Sequence, residues 1–366
     1  MSYLKIIMRF LFAFFIFYMS SGWLSNYVFV AMAAGCLICV SGFSFLKVSE
    51  KDDLVFLLFI VLACLNLAFH TELLQSPIQI SSIAIGGYYL TYKLAKNTKM
   101  FDLKLFTYFS ALESIVLIVS SVRSFVHAMA EIPVLGWHQG LLHFYQTRGC
   151  GLLGSVGLSG FALLTGFLFL EYGSSYFSSR EKHFLYPVLS IGLVLNMSRA
   201  AVLSLFIFFA IKFLPRITWS CREFQRRYVI WGMLLFFGAL IWGYRFFGSV
   251  DLSELSSGRT VIYQNALHYI YEHPLFGMGS WRYYDFSYVA EGIHAHNSYL
   301  ELWATHGAIS LILMGFIAKQ IGPKNYLYLI PIFIFGLMNF SIFYVFSFGD
   351  IVMFYFLSTP QRKPAS

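Results

Sequence analysis

Apolar runs recur along nearly the whole chain, near residues 4–20, 24–46, 54–70, 78–92, 105–122, 150–170, 184–198, 200–214, 228–244, 297–317, 325–340 and 342–358. A helix that crosses a bilayer needs about 20 mostly apolar residues, fewer where Lys or Arg at its ends reach the interface. The pattern predicts an all-α polytopic integral membrane protein with about twelve transmembrane helices. The number is eleven if the last two runs, divided only around Asn339–Ser341, act as one. Connections are short except for 123–149 and 245–296, so residues 1–366 read as one membrane domain carrying two long loops.

Composition agrees and removes the alternatives. The chain is 58% hydrophobic and 11% charged, against about 45–50% and about 25% in a soluble domain. A soluble enzyme of this size could not hide that much apolar surface. The five cysteines are too dispersed for a disulfide framework, and the pair Cys36 and Cys39 lies inside an apolar run as small buried thiols. Lys5 and Arg9 precede an apolar stretch without a small-residue cleavage site, which reads as the first span.

Charge changes the picture when it is sorted by side. A net +8 suggests nucleic acid only if it forms a one-faced patch. Here the cations sit in short clusters between apolar runs, and no nucleic-acid partner is expected. With both termini inside, the inner segments hold 19 of the 25 Lys and Arg, as the excess of cytoplasmic cations in membrane proteins demands. All 12 lysines fall inside, while the six outer cations are Arg123, Arg148, Arg199, Arg245, Arg259 and Arg282. The guanidinium fork grips phosphate or carboxylate bidentately and never loses its charge. The outer face therefore points to an anionic, phosphate-bearing ligand. For Arg123 and Arg245, contact with lipid headgroups is the simpler reading.

The large outer loop, 245–296, holds the densest polar chemistry. Val261, Ile262, Ala266, Tyr269 and Ile270 recur at helical spacing after Ser256-Ser257-Gly258 and before His273-Pro274. This predicts an amphipathic helix over 258–272, entered through a Ser cap and lying on the outer membrane surface. Arg259 falls in its first turn, where a cation is unfavourable by some tenths of a kcal/mol. An anion held jointly by Arg259 and the free backbone N–H groups reverses that; a salt-bridged surface arginine is the plain alternative. Farther on, His296, Asn297 and Ser298 stand at the mouth of the next apolar helix, with Asn297 or Ser298 as its cap. His294, His296 and His306 lack metal-ligand spacing. The outer acids Asp251, Glu254, Glu272, Asp285, Glu291 and Glu301 form no D-x-D, so neither metal nor cofactor is expected. One imidazole at a membrane–water boundary can take or give a proton near neutral pH. The tight turn Asn196-Met197-Ser198-Arg199 adds a third feature on that side, since an arginine between two spans is expensive unless bound.

These residues carry a resemblance. Gly258-Arg259-Thr260, Tyr271–Gly279 with its P-L-F-G-M-G, His296-Asn297-Ser298-Tyr299-Leu300-Glu301 through Gly307, and Ser198-Arg199-Ala200 together resemble the shared region of the O-antigen polymerase and O-antigen ligase families, over about 145–317. The family pattern places G-x-x-G nine residues after H-[N/S/Q]; here Gly307 is present and Ser310 stands at the second glycine.

The resemblance implies a membrane glycosyltransferase of GT-C type, using undecaprenyl-pyrophosphate-linked oligosaccharide at the periplasmic face of the bacterial inner membrane. It implies that Arg199 and Arg259 face the pyrophosphate. His296 then serves the acceptor hydroxyl, as base or as orienting partner. Arg148 stands where related polymerases carry an arginine; Arg282, Asn297 and Ser298 are further candidate contacts to pyrophosphate or glycan. A chain-length regulator is a candidate partner. The compact chain, Ser310 and the aromatic outer loops lean towards a polymerase, with a ligase acting on lipid A core as the alternative. A flippase is the reading from another class, but transporters place polar groups near the midplane. Here Glu113 is the main charge inside a span.

Overall fold

A computed structural model of the chain describes residues 2–20, 26–42, 54–55, 57–58, 61–62, 81–96, 102–135, 151–213, 259–275, 277, 295–321, 325–339, 342–343 and 347–358. Among the described residues there are helices and turns but no strand. The helices are α1 (Ser2–Phe17), α2 (Asn26–Ser41), α3 (Ser81–Lys96), α4 (Leu103–Leu135), α5 (Val156–Tyr172) and α6 (Ser179–Asn196). They continue with α7 (Arg199–Phe213), α8 (Arg259–Glu272), α9 (Ser298–His306), α10 (Ser310–Gln320), α11 (Tyr326–Met338) and α12 (Phe348–Ser358). Two stretches, Leu103–Ala130 and Ser298–Gln320, are long and apolar enough to cross a membrane, and α5, α11 and α12 are apolar but shorter. The run at 228–244 and most of 54–70 lie outside the described residues.

Helix α4 corrects one boundary. The change to polar residues at Arg123 predicts a loop from 123, yet the helix continues to Leu135, with Arg123 and His127 exposed on it. Its 33 residues extend about 50 Å, against about 30 Å for a hydrocarbon core. The polar residues mark a change of solvent, not a change of backbone, and Pro133 is the first proline the helix meets.

Small residues let the central helices close. Ser110 of α4 donates to Ala162 O of α5 at 2.8 Å, and Ser114 donates to Val188 O of α6 at 2.6 Å. Opposite them stand Gly166 and Gly192, where a Cβ would collide with Ser110 and Ser114. Glycine–serine approaches of this kind are how helices associate where lipid competes for apolar contact.

The bundle has two chemically distinct ends. At one, Lys104 pairs with Glu181 at 2.7 Å and Lys212 pairs with Glu171, while Tyr328 stacks on Phe356. At the other stand the start of α5, the α6–α7 turn, the end of α11 and the start of α9. The lysines of α4 and α7 thus lie at the end opposite Arg199 and Arg259.

Helix α12 starts from a built cap. The Ser347 hydroxyl accepts from Asp350 N at 3.0 Å and donates to Asp350 Oδ2 at 2.8 Å. The other Asp350 oxygen accepts from Phe343 N at 2.6 Å, which holds Phe343 at φ +61°.

Candidate functional site

The last carbonyls of a helix have no intrahelical partner, and at α11 three consecutive ones are taken by candidate residues. Asn297 Nδ2 donates to Leu337 O at 3.0 Å, the Arg259 guanidinium donates to Met338 O, and the Ser298 hydroxyl donates to Asn339 O at 3.1 Å. The partial negative charge at a helix C-terminus suits a guanidinium there. Arg259 is also the first residue of α8, so it ties the start of α8 to the end of α11. One turn deeper, Tyr299 Oη donates to Phe333 O at 3.1 Å and fixes α9 along α11.

The start of α9 sets His296. Asn297 is the cap: its side-chain oxygen accepts from Tyr299 N at 3.0 Å and Leu300 N at 3.1 Å. On the other side, Ala295 N donates to Glu301 Oε2 at 2.7 Å, with both residues buried. Between these two ties His296 adopts φ +50°, a left-handed conformation uncommon outside glycine.

Burial pushes the His296 imidazole below its ordinary range, and the nearby Arg259 charge pushes it the same way. The ring is therefore neutral at neutral pH, with one nitrogen able to accept a proton. A reaction that needs neutral His296 stays active through pH 7 and fails only once the ring protonates. The acidic limb of its rate–pH profile is expected below about 6.5, the unperturbed imidazole value. Initial rates measured between pH 4 and 8 check this; a limb at or above about 6.5 counts against it.

Arg199 arrives from another element at the same end. Ser198 caps α7, its hydroxyl accepting from Ala201 N at 3.4 Å, and Arg199 follows as the exposed first helical residue. Gly160 of α5 admits Ser198, since a Cβ there would lie 2.6 Å from Ser198 Cβ, and Gly157 similarly faces Asn339. Arg199 and Arg259 each begin a helix, and His296 stands just before a third.

Helix α8 matches the predicted 258–272 within one residue at its start, with a different partner for its apolar face. Ile262 and Ala266 pack on Ala295 and Ala304, joined by Tyr263, Tyr269, Ile270 and Leu300. That face, expected on the membrane surface, is covered by α9, because i, i+4 apolar spacing fits either neighbour. Ser256 and Ser257, the expected cap, lie outside the described residues, as do Arg148 and Arg282.

The turn after α8 locks onto the end of α9. Ala308 N donates to Pro274 O at 2.9 Å, and Gly277 and Gly307 face each other at φ +63° and +55°. A Cβ on Gly277 would lie 2.6 Å from Thr305 O, and one on Gly307 would lie 2.5 Å from Gly277 N. Ser310, at the position of the missing second glycine, is buried and donates to Gly307 O at 2.7 Å. Glu113, the charge inside a span, is fully buried and holds the entry to α5. It accepts from Leu152 N at 2.9 Å, Leu153 N at 3.3 Å and Ser159 Oγ at 2.6 Å.

Sequence reasoning missed the α11 carbonyls, which any sequence carries and no motif marks. It also counted Glu301 only as one outer acid, although its place four residues after the Asn297 cap was a usable signal.

The family comparison bears on these elements. Residues 184–315, from α6 into α10, match the family model described as O-antigen ligase. That match, over about a third of the chain, supports a relation to the O-antigen polymerase and ligase superfamily. No curated protein and no solved structure matches the chain. The matched stretch contains Arg199, Arg259, His296 and the glycine lock. The family covers polymerases and ligases, membrane glycosyltransferase-like enzymes that act on lipid-linked glycans. The family match and the apolar helices are together consistent with an integral membrane protein.

Proposed function

We propose that the chain is an O-antigen polymerase of GT-C type with about twelve spans, joining undecaprenyl-pyrophosphate-linked oligosaccharide repeats at the periplasmic face of the inner membrane. The observation that carries the reading is that Arg259 and Asn297, the residue after His296, both bond the end of α11, which brings the Arg259 charge near the imidazole at the end of the bundle that also bears Arg199. An acceptor sugar hydroxyl attacks the anomeric carbon of the donor chain. Its proton passes to His296, a new glycosidic C–O bond forms, and the bond from the anomeric carbon to phosphate breaks. The electron pair leaves with undecaprenyl pyrophosphate. Charge grows on that leaving oxygen, and Arg199 and Arg259 stabilise it. Such preorganised donors are worth roughly 10²–10³ in rate. Each of these arginines starts a helix, so helix N–H groups add to the anion's donors.

Purified protein supplied with lipid-linked repeats is expected to lengthen them without a translocation step; movement of lipid across the bilayer without elongation would favour a flippase. In cells, deletion is expected to leave lipopolysaccharide capped by a single repeat. Cores without O-antigen, together with lipid-linked chains that accumulate, would instead identify a ligase. Arg259→Lys keeps the charge but loses the planar fork that reaches both Met338 O and an anion. It is expected to lower the elongation rate about 10-fold or more, read by gel analysis of chain products at equal protein level.

A further inference from the structure

We propose that Glu301 is a positioning residue that holds His296 in its working conformation. The inference rests on the reading of His296 as the group that serves the acceptor hydroxyl.

The backbone of His296 at φ +50° is costly for a residue with a Cβ, on the order of 1 kcal/mol. Such conformations persist where the surroundings over-determine them. Asn297 supplies one half of that constraint, bonded forward to Tyr299 N and Leu300 N and sideways to Leu337 O. The other half must act before His296. There the Ala295 N–H donates to Glu301 Oε2 at 2.7 Å, and Ala295 and Glu301 are both completely shielded from solvent. Glu301 lies one turn into α9, so its carboxylate reaches back over the cap and anchors the residue immediately before the imidazole. With both flanking residues fixed, the frame sets the backbone from which the ring projects.

Burying a carboxyl group is expensive unless its oxygens are hydrogen-bonded, and here one of them accepts from Ala295 N. The bond is short, at 2.7 Å, and a buried backbone N–H left without its acceptor costs about 1–3 kcal/mol. The consequence separates Glu301 from an ordinary cap. Losing it should misdirect His296 without removing any group that touches donor or acceptor, so kcat falls while KM for the lipid-linked donor stays.

The test uses full-length protein in detergent or liposomes with lipid-linked repeats. Glu301→Ala is expected to lower kcat about 10-fold or more at unchanged KM, on the precedent that small misplacements of a reacting group cost up to about 10²-fold. Glu301→Gln keeps an acceptor at the same reach and is expected to recover most of the rate. The double variant Glu301→Ala with His296→Ala is expected to be no slower than His296→Ala alone, because both changes act through one group. A wild-type kcat in Glu301→Ala, or a double variant slower than His296→Ala, overturns the proposal. If Glu301→Ala does not insert, Glu301→Asp decides. It keeps the carboxyl group but is one methylene too short, and an undiminished kcat in that variant also overturns the proposal. Full activity of His296→Ala would instead defeat the functional reading itself, a different outcome from an inactive His296→Ala beside an undisturbed Glu301→Ala.

Discussion

Replacing His296 with alanine is expected to lower elongation of lipid-linked repeats by about 10²–10⁴-fold, the range for a positioned acid–base group. The protein should stay folded in the membrane. The cap of α9 belongs to Asn297 and the tie to Ala295 belongs to Glu301, so the imidazole can be removed without breaking either. Alanine at φ +50° bears somewhat more backbone strain than histidine, which is enriched in that region, so the amount of folded protein is measured beside the rate. His296→Asn separates the two contributions further, because asparagine tolerates the left-handed region better than most residues yet cannot act as a base. It should be as stable as wild type, or slightly more so, and equally inactive. The readouts are the initial rate of chain growth and the amount of protein in washed membranes. A wild-type rate in His296→Ala would remove the imidazole from the chemistry; recovery in His296→Asn would mean that a hydrogen bond, not proton transfer, is what the site needs.

What was legible in the sequence divides along physical lines. The helix predicted at 258–272 is α8, Arg259–Glu272, because apolar spacing and His273-Pro274 are local signals. The cap at Asn297 follows for the same reason, since a side chain that accepts from the next two N–H groups needs nothing distant. Charge sorting placed Lys104 and Lys212 at one end and Arg199 and Arg259 at the other, and the helix packing agrees. Membrane sequence carries this information because an ion and a lipid tail cannot share a depth.

Long-range pairing was not legible. Met338 O is a partner of Arg259 across 79 positions, and a carbonyl is present at every residue, so no residue type announces it. The continuation of α4 past Arg123 failed for a related reason: hydropathy reports the surrounding solvent, whereas backbone hydrogen bonding decides where a helix stops. The apolar stripe of α8 was visible, but its partner, Ala295 and Ala304 of the α9 region, was not. Burial against lipid and burial against protein select the same residues.

The glycine lock yields the largest structural effect. Gly307→Ala is expected to lower stability by about 2–5 kcal/mol and to abolish elongation with it. Gly307 has φ +55° and ψ −145°, a region essentially reserved for glycine, where strain alone costs about 1–3 kcal/mol. The added Cβ would also stand 2.5 Å from Gly277 N and 2.6 Å from the Leu275 carbonyl carbon. Those neighbours are backbone, so no rotamer change relieves the contact. The turn Pro274–Gly277 must move away, breaking the bond from Ala308 N to Pro274 O. Helix α8 then loses its seat on α9, and Arg259 loses its fixed place beside His296. Gly277→Ala attacks the same contact from the other side, where its Cβ would lie 2.6 Å from Thr305 O. The double variant should therefore be less damaged than two independent losses predict. At Gly315, in the same helical span, an added Cβ would meet nothing within 4 Å, and Gly315→Ala should leave melting and activity unchanged. Thermal melting of purified protein and elongation assays on the four variants provide the measurement. If Gly307→Ala behaves like Gly315→Ala, the lock does not hold α8, and the meeting of Arg259 with His296 must depend on the α11 carbonyls alone.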